Sequence, residues 1–274
     1  MTHSSITWLQ VYLQTLCDHP QFVAARSVIP LWLARESAAE PADRSALAPP
    51  ASRVTIQMAA ELFTRMALIG PAGAGKTTLL RQLAIGLAEN LRATERSADR
   101  RGEAMAPIPL FVDLAHFNGS IEAAIAEKFG LELPTLAELA AERPLLFLLD
   151  GLDELAPSMQ LAGMAAISAT LTGLGTQARW IAACRNEALP LFRPWLDTVE
   201  VRSIRPLLPR DLLGTIELQN PELASWLQRT EDLVSLATRP RWLAGLMALR
   251  SLSTLQPPLA AAGYWRPGFL RLWR

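Results

Sequence analysis

Lysine is nearly absent from this chain: among its 26 basic residues only Lys76 and Lys128 are lysines, and the rest are arginines. The same number of acidic residues brings the formal net charge to zero, so no overall attraction to nucleic acid or to an anionic membrane is expected. The two cysteines, Cys17 and Cys184, cannot build a disulfide framework and read as reduced packing residues. Met1 to Trp8 lacks a basic start leading into an apolar run, which excludes a secretory signal at that position. No apolar stretch approaches the roughly 18 residues needed to cross a bilayer. These absences together predict a cytoplasmic chain with no nucleic-acid or membrane partner.

What is present is globular. Half of the 274 residues are hydrophobic and 19% are charged, far from the disordered regime and enough for one α/β domain of usual size with a smaller neighbour. Ile6, Leu9, Val11, Leu13 and Leu16 recur in a loose helical pattern, and a second apolar patch spans Val28 to Leu33. From Glu36 to Ser52 the chain is rich in Ala, Pro, Ser and charge, which reads as a linker and sets a domain boundary.

From Arg65 onward, short apolar runs alternate with helical stretches. The runs are Met66 to Ile69, Ile108 to Val112, Leu145 to Leu149, Trp180 to Ala183 and Val199 to Val201, continuously apolar rather than alternating. Such strands between helices predict a parallel sheet covered on both faces. The helices fall over Lys76 to Leu91, Ser120 to Phe129, Thr135 to Glu142 and Pro157 to Leu174, and Arg92 to Glu103 reads as a solvated helix end and loop. After Pro206 the strands stop. Helical patterns over Leu212 to Leu218, Pro221 to Leu227, Asp232 to Ala237 and Trp242 to Leu252 predict a small helical appendage. The expected divisions are residues 1–52, an N-terminal helical segment and linker; 53–205, the sheet domain; 206–255, the appendage; and 256–274, an irregular tail.

Two segments carry chemistry. Gly70, Pro71, Ala72, Gly73, Ala74, Gly75, Lys76 and Thr77 match G-x-x-x-x-G-K-[ST] in full, between an apolar strand and a helix pattern headed by Thr78. Glycines let the backbone approach an anion, so that successive N–H groups and the helix N-terminus face phosphates. Lys76 would reach the β and γ oxygens and the Thr77 hydroxyl would ligate magnesium. The second segment runs from Leu145 to Glu154, LLFLLDGLDE. Asp150 ends a buried strand at the carboxyl edge of the sheet, where ligands bind in open α/β folds, and is the expected magnesium carboxylate. Small Gly151 leaves room beside it. Asp153 and Glu154 place two more carboxylates within a turn, either of which could orient the attacking water.

LLFLLDGLDEL resembles the extended Walker B motif of the NACHT family of STAND-type NTPases, in which a small residue follows the magnesium aspartate and an acidic pair comes soon after. PIPLFVDL, Ile108 to Leu114 at its core, is similar to the family's second strand, Arg179 to Arg185 to its sensor 1 strand, and Val201 to Leu212 to the segment leading out of the sheet. Thr238, Arg239 and Pro240, followed by Trp242 and Leu243, are similar to the proline-containing motif of its helical domain. The resemblance covers about Arg65 to Leu252. It implies a P-loop NTPase fold with a five-stranded parallel sheet in the order 5-1-4-3-2, a γ-phosphate-sensing role for Arg185, a nucleotide contact for Pro240, and ATP with Mg2+ as ligands. It also implies a slowly hydrolysing signalling switch that self-associates in the ATP state. Family members usually continue into a winged-helix domain with a phosphate-contacting histidine and then a repeat array. The three histidines here are His3, His19 and His116, and nothing after Leu252 has that length, so a fragment or reduced homologue is expected.

The competing expectation is a housekeeping P-loop ATPase or kinase-like enzyme, in which turnover itself is the product; a truncated fragment that binds nucleotide without turnover is a third. Against the housekeeping enzyme stand the lack of an ABC-type signature or an arginine-clustered lid helix and the spelling D-G-L-D-E. No N-K-x-D guanine-reading motif is present, which favours ATP over GTP.

Overall fold

The computed structural model describes residues 3–27, 31–35, 54–96, 105–192, 194, 199–205, 209–219 and 221–229, together with Val234, Ala237, Thr238, Pro240 and Leu243. The chain divides into two compact units, Met1–Leu207 and Leu208–Arg274. In the first, α1 (His3–Asp18) and the single turn α2 (Pro20–Val23) precede a short strand, β1 (Leu33–Arg35), and α3 (Ile56–Leu62). The repeating part follows: β2 (Arg65–Ile69), α4 (Lys76–Arg96), β3 (Ile108–Asp113), α5 (Ile121–Phe129), α6 (Leu136–Glu142), β4 (Leu145–Asp150), α7 (Gln160–Gly173), β5 (Ala178–Cys184), α8 (Leu189–Phe192) and β6 (Glu200–Ile204). The second unit holds α9 (Pro209–Gln219) and α10 (Pro221–Gln228).

The fold is α/β, and its sheet has the order β1-β6-β2-β5-β4-β3. The five expected strands stand in the expected order and run parallel to one another. The expectation of a five-stranded, wholly parallel sheet is corrected at one edge, where β1 pairs antiparallel with β6 and makes a sixth strand. Three residues are too few to show a period in sequence, so the apolar patch ending at Leu33 carried no strand signal of its own.

Burial explains why the strands read as continuous apolar runs. Leu145, Leu146, Phe147, Leu148 and Leu149 of β4 are all buried, as are Met66 to Ile69 of β2, because neighbours cover both faces. Helix α4 packs against β3, β4 and β5, α5 against β3, and α7 against β5. Helix ends follow local chemistry. Ser120 caps α5 by accepting from the Ala123 N–H, and Thr135 and Glu138 form a reciprocal capping box at the head of α6. The helix expected from Pro157 begins at Gln160, after a turn, and α3 begins after its N-cap Thr55, whose hydroxyl accepts from the Met58 N–H.

The open edge of the sheet at β3 is sealed by a side chain. The buried Tyr12 hydroxyl of α1 donates to the Pro109 carbonyl at 2.8 Å and accepts from the Phe111 N–H at 3.2 Å, so it takes the place of a neighbouring strand. Pro109 lacks an N–H on that same outward side, which is where an edge strand tolerates proline. The N-terminal helix therefore belongs to the sheet's packing, with Tyr12, Trp8, Phe22 and Phe129 meeting in stacked, edge-on and tilted ring contacts.

The expected helices over 232–237 and 242–252, the linker over 36–52 and the tail over 260–274 lie wholly or largely outside the described residues.

Candidate functional site

Strand β2 ends at Ile69 and the chain turns through Gly70 to Gly75 into α4. Gly73 and Gly75 have φ of 76° and 97°, a left-handed backbone that side chains with a Cβ adopt only under strain. The Ala74 N–H donates to the Pro71 carbonyl at 3.2 Å, and the helix ladder starts where Leu79 N–H donates to the Gly75 carbonyl at 2.9 Å. The N–H groups ahead of that ladder have no intrahelical partner, an arrangement that suits an anion at the helix N-terminus. Pro71, Ala72, Ala74 and Thr78 all lie on this partly exposed cradle.

Lys76 folds back over the loop. Its Nζ donates to the carbonyls of Gly70 at 2.6 Å and Pro71 at 3.1 Å. Burial lowers its pKa from the ordinary lysine value, and Arg185 adds to the effect, while Asp153, Cys184 and Asp150 oppose it. An anion entering the cradle would supply the compensating charge.

The Thr77 hydroxyl donates to Asp150 Oδ1 at 3.0 Å, across 73 residues of sequence. Burial pushes the Asp150 carboxyl up to about 6, against the opposing pull of the Thr77 hydrogen bond and the Arg81 guanidinium. Asp150 makes no ion pair among the described residues, so it is a half-buried carboxylate in want of a cation, beside a hydroxyl. That donor set suits magnesium, a hard ion that takes one or two protein oxygens and completes its shell with water and phosphate. No larger group of metal-ligating side chains occurs among the described residues.

The acidic pair separates in space. Asp153 is held twice by Arg185: its Oδ1 accepts from the Arg185 backbone N–H at 3.0 Å and its Oδ2 pairs with Nε at 2.9 Å. Glu154 instead curls back over Gly151. A Cβ built on Gly151 would meet the Glu154 Cδ and Oε2 at 3.1 Å, and Gly151 has φ of +77°. The room expected beside Asp150 is thus partly filled by Glu154, whose charge adds to the upward push on Asp150.

Three residues missed in the sequence complete the carboxyl edge. Asp113, the last residue of β3, stands in register with Asp150 of β4. Burial alone would raise its carboxyl, but the Lys128 ammonium at 2.7 Å, aided by the Ala115 N–H, holds it below the ordinary carboxylate value. Arg81 lies one helical turn beyond Thr77 on α4, with its guanidinium 5.8 Å from the Phe22 ring centroid and 5.9 Å from that of Phe111. The available signals were the aspartate closing PIPLFVD and the position of the second lysine. Pro240 belongs to the second compact unit.

The family model of the NACHT domain matches residues 64–212, more than half of the chain. No functionally curated protein matches it in sequence. Among solved structures, similarity reaches the Aeropyrum pernix ORC1 protein, determined in complex with DNA, at 17% identity and a TM-score of 0.40, covering 67% of this chain and 59% of that one. A Walker-type ATPase of Pyrococcus abyssi is similar at 14% identity and a TM-score of 0.39, covering 69% of this chain and 64% of that one. The chain thus spans less than two thirds of the length of either structure.

Proposed function

Because this chain belongs to the NACHT family, we propose that it is an ATP-binding switch that hydrolyses its nucleotide slowly and self-associates in the ATP state. The observation that carries the reading is the contact of the Thr77 hydroxyl with Asp150 at 3.0 Å beside a glycine-lined cradle. It is a metal and phosphate site assembled before its ligands arrive, which lowers the ordering cost of binding.

In this reading the backbone N–H groups from Ala72 to Thr78 orient the phosphates. Lys76 exchanges its loop carbonyls for β and γ oxygens, and Arg185 reads the γ-phosphate. Thr77 and Asp150 would hold a magnesium ion, which would supply Lewis-acid neutralisation of the charge that develops on the phosphates. Glu154 and Asp153 remain the candidates to orient water, and Pro240 the candidate base or ribose contact. Loss of the γ-phosphate releases the groups that read it, which is the usual physics of nucleotide switches.

The test joins calorimetry, turnover and light scattering. Lys76→Ala is expected to lose most Mg-ATP affinity, since one charge-assisted phosphate contact is worth roughly 1.5 to 3 kcal/mol and the other lysine, Lys128, is engaged by Asp113. The parent chain is expected to turn over slowly and to assemble with ATP. Unchanged affinity in the variant removes the phosphate role, and fast turnover without assembly replaces the switch by a housekeeping ATPase.

A further inference from the structure

Asp153 and Glu154 are adjacent in sequence and indistinguishable by type, yet the fold treats them differently. The Asp153 side chain is 11% exposed while the Arg185 side chain it grips is 52% exposed. A largely covered anchor thus holds a solvent-facing cation. The grip is two-point, since one carboxylate oxygen takes the Arg185 backbone N–H and the other takes Nε. A surface ion pair held at one point contributes little and wanders; two contacts from a largely covered carboxylate fix direction as well as distance.

Position gives that direction a use. Cys184 is paired with Ile69 across the β5–β2 ladder, so Arg185 follows β5 at the level where Gly70 follows β2 and opens the phosphate loop. Both Asp153 and Arg185 act electrostatically on the Lys76 ammonium. The pairing to Asp153 uses only Nε of the guanidinium, and the four Nη hydrogens of the fork take no part in it. Those are the donors that suit a planar, two-point phosphate contact.

We propose that Asp153 is a positioning residue for γ-phosphate recognition: its carboxylate fixes Arg185 through Nε and the backbone N–H and leaves the Nη groups to the terminal phosphate. This rests on the reading of Arg185 given above and divides the acidic pair. Asp153 serves discrimination between tri- and diphosphate, and Glu154, whose side chain makes no ion pair among the described residues, is left for water.

The experiment measures Mg-ATP and Mg-ADP dissociation constants on the full chain for the parent, Asp153→Asn, Arg185→Ala, Arg185→Lys, Glu154→Gln and the Asp153→Asn/Arg185→Ala pair. An asparagine can accept from the Arg185 N–H but presents no second acceptor to Nε. The preference for ATP over ADP is expected to fall by roughly tenfold or more in each Asp153 and Arg185 variant, the worth of one charge-assisted hydrogen bond. The double variant falls no further than either single one, and Glu154→Gln keeps the preference. A carboxylate that only supports the fold weakens both nucleotides equally, and an unchanged ratio in Asp153→Asn with a reduced one in Arg185→Ala overturns this inference alone. A ratio that rises in Asp153→Asn overturns it too, since the carboxylate then competes with the phosphate. An unchanged ratio in Arg185→Ala overturns it together with the reading of Arg185 beneath it. Should Asp153→Asn not fold, Arg185→Lys decides: lysine keeps the charge but cannot grip Asp153 and present a fork, so a preserved preference there overturns the proposal.

Discussion

His19 shows how much one side chain can depend on its neighbours. Its Nδ1 accepts from the Gln21 N–H at 3.3 Å and caps the first turn of α2, a task only the neutral ring can perform. Partial burial lowers its pKa from the ordinary histidine value, and the Lys128 and Arg81 cations facing it from α5 and α4 push the same way. The unfolded chain therefore takes up a proton first as pH falls, so the stability contributed by neutral His19 is present above the unfolded value and is lost as pH drops through the lower folded one. Denaturant titrations between pH 7 and pH 5 are expected to show the parent losing stability more steeply than His19→Asn, which keeps a capping acceptor without the titration; parallel slopes would falsify this. Such clusters were beyond reach from sequence for a plain reason. Lys128 meets Asp113 over 15 residues and Arg185 meets Asp153 over 32, each from the end of a different element, and no spacing rule links them. The juxtaposition of Thr77 with Asp150 was legible because each closes or follows a strand whose place in the sheet the pattern already gave.

At the scale of elements, the parallel strands were legible because burial on two faces writes an unbroken apolar run, and their order follows the expectation strand for strand. The edges were not. β1 pairs through three residues, and the opposite edge depends on a hydroxyl 97 and 99 residues from its partners. A tyrosine within an apolar helical stripe reads as core, and nothing in its own sequence says that its oxygen replaces a strand. Removing that oxygen gives a direct measure of the seal. Tyr12→Phe keeps the ring packing but leaves the Phe111 N–H and Pro109 carbonyl buried without their partner, at a cost of about 1 to 3 kcal/mol. For a unit of this size each kcal/mol lowers the melting temperature by roughly 2 to 4 °C. Differential scanning calorimetry is expected to show a fall of several degrees in the transition of the sheet unit, and a melting point unchanged within error removes the hydroxyl from the account of the β3 edge.

The whole molecule joins these scales through linkage, because a ligand that binds only the folded chain adds to its stability in proportion to its affinity. At about 100 times the dissociation constant that gain is roughly 2.7 kcal/mol, enough to read as a shift in melting temperature. The electrostatics of the site make the shift depend on magnesium in a way that can change sign. Asp150 is a half-buried, desolvated carboxylate whose protonation is favoured by the fold, its pKa pushed up to about 6 from 3.8, so at pH 7.5 its charge works against folding. The stability it can contribute is present at low pH and is lost as pH rises through the folded value. In the proposed site a nucleotide arriving without metal would bring more negative charge to the same place, whereas one arriving with magnesium would supply the cation that Asp150 lacks. Asp150→Asn keeps an oxygen for the Thr77 hydroxyl and deletes the charge. Thermal melts at pH 7.5 are therefore expected to show the variant more stable than the parent without ligand. With ATP and a chelator its upward shift should exceed that of the parent, and with ATP and magnesium the parent's shift should be the larger. A parent whose ATP-induced shift is the same in chelator and in magnesium would show that Asp150 does not face the metal-bound phosphates, and the site would have to be drawn without it.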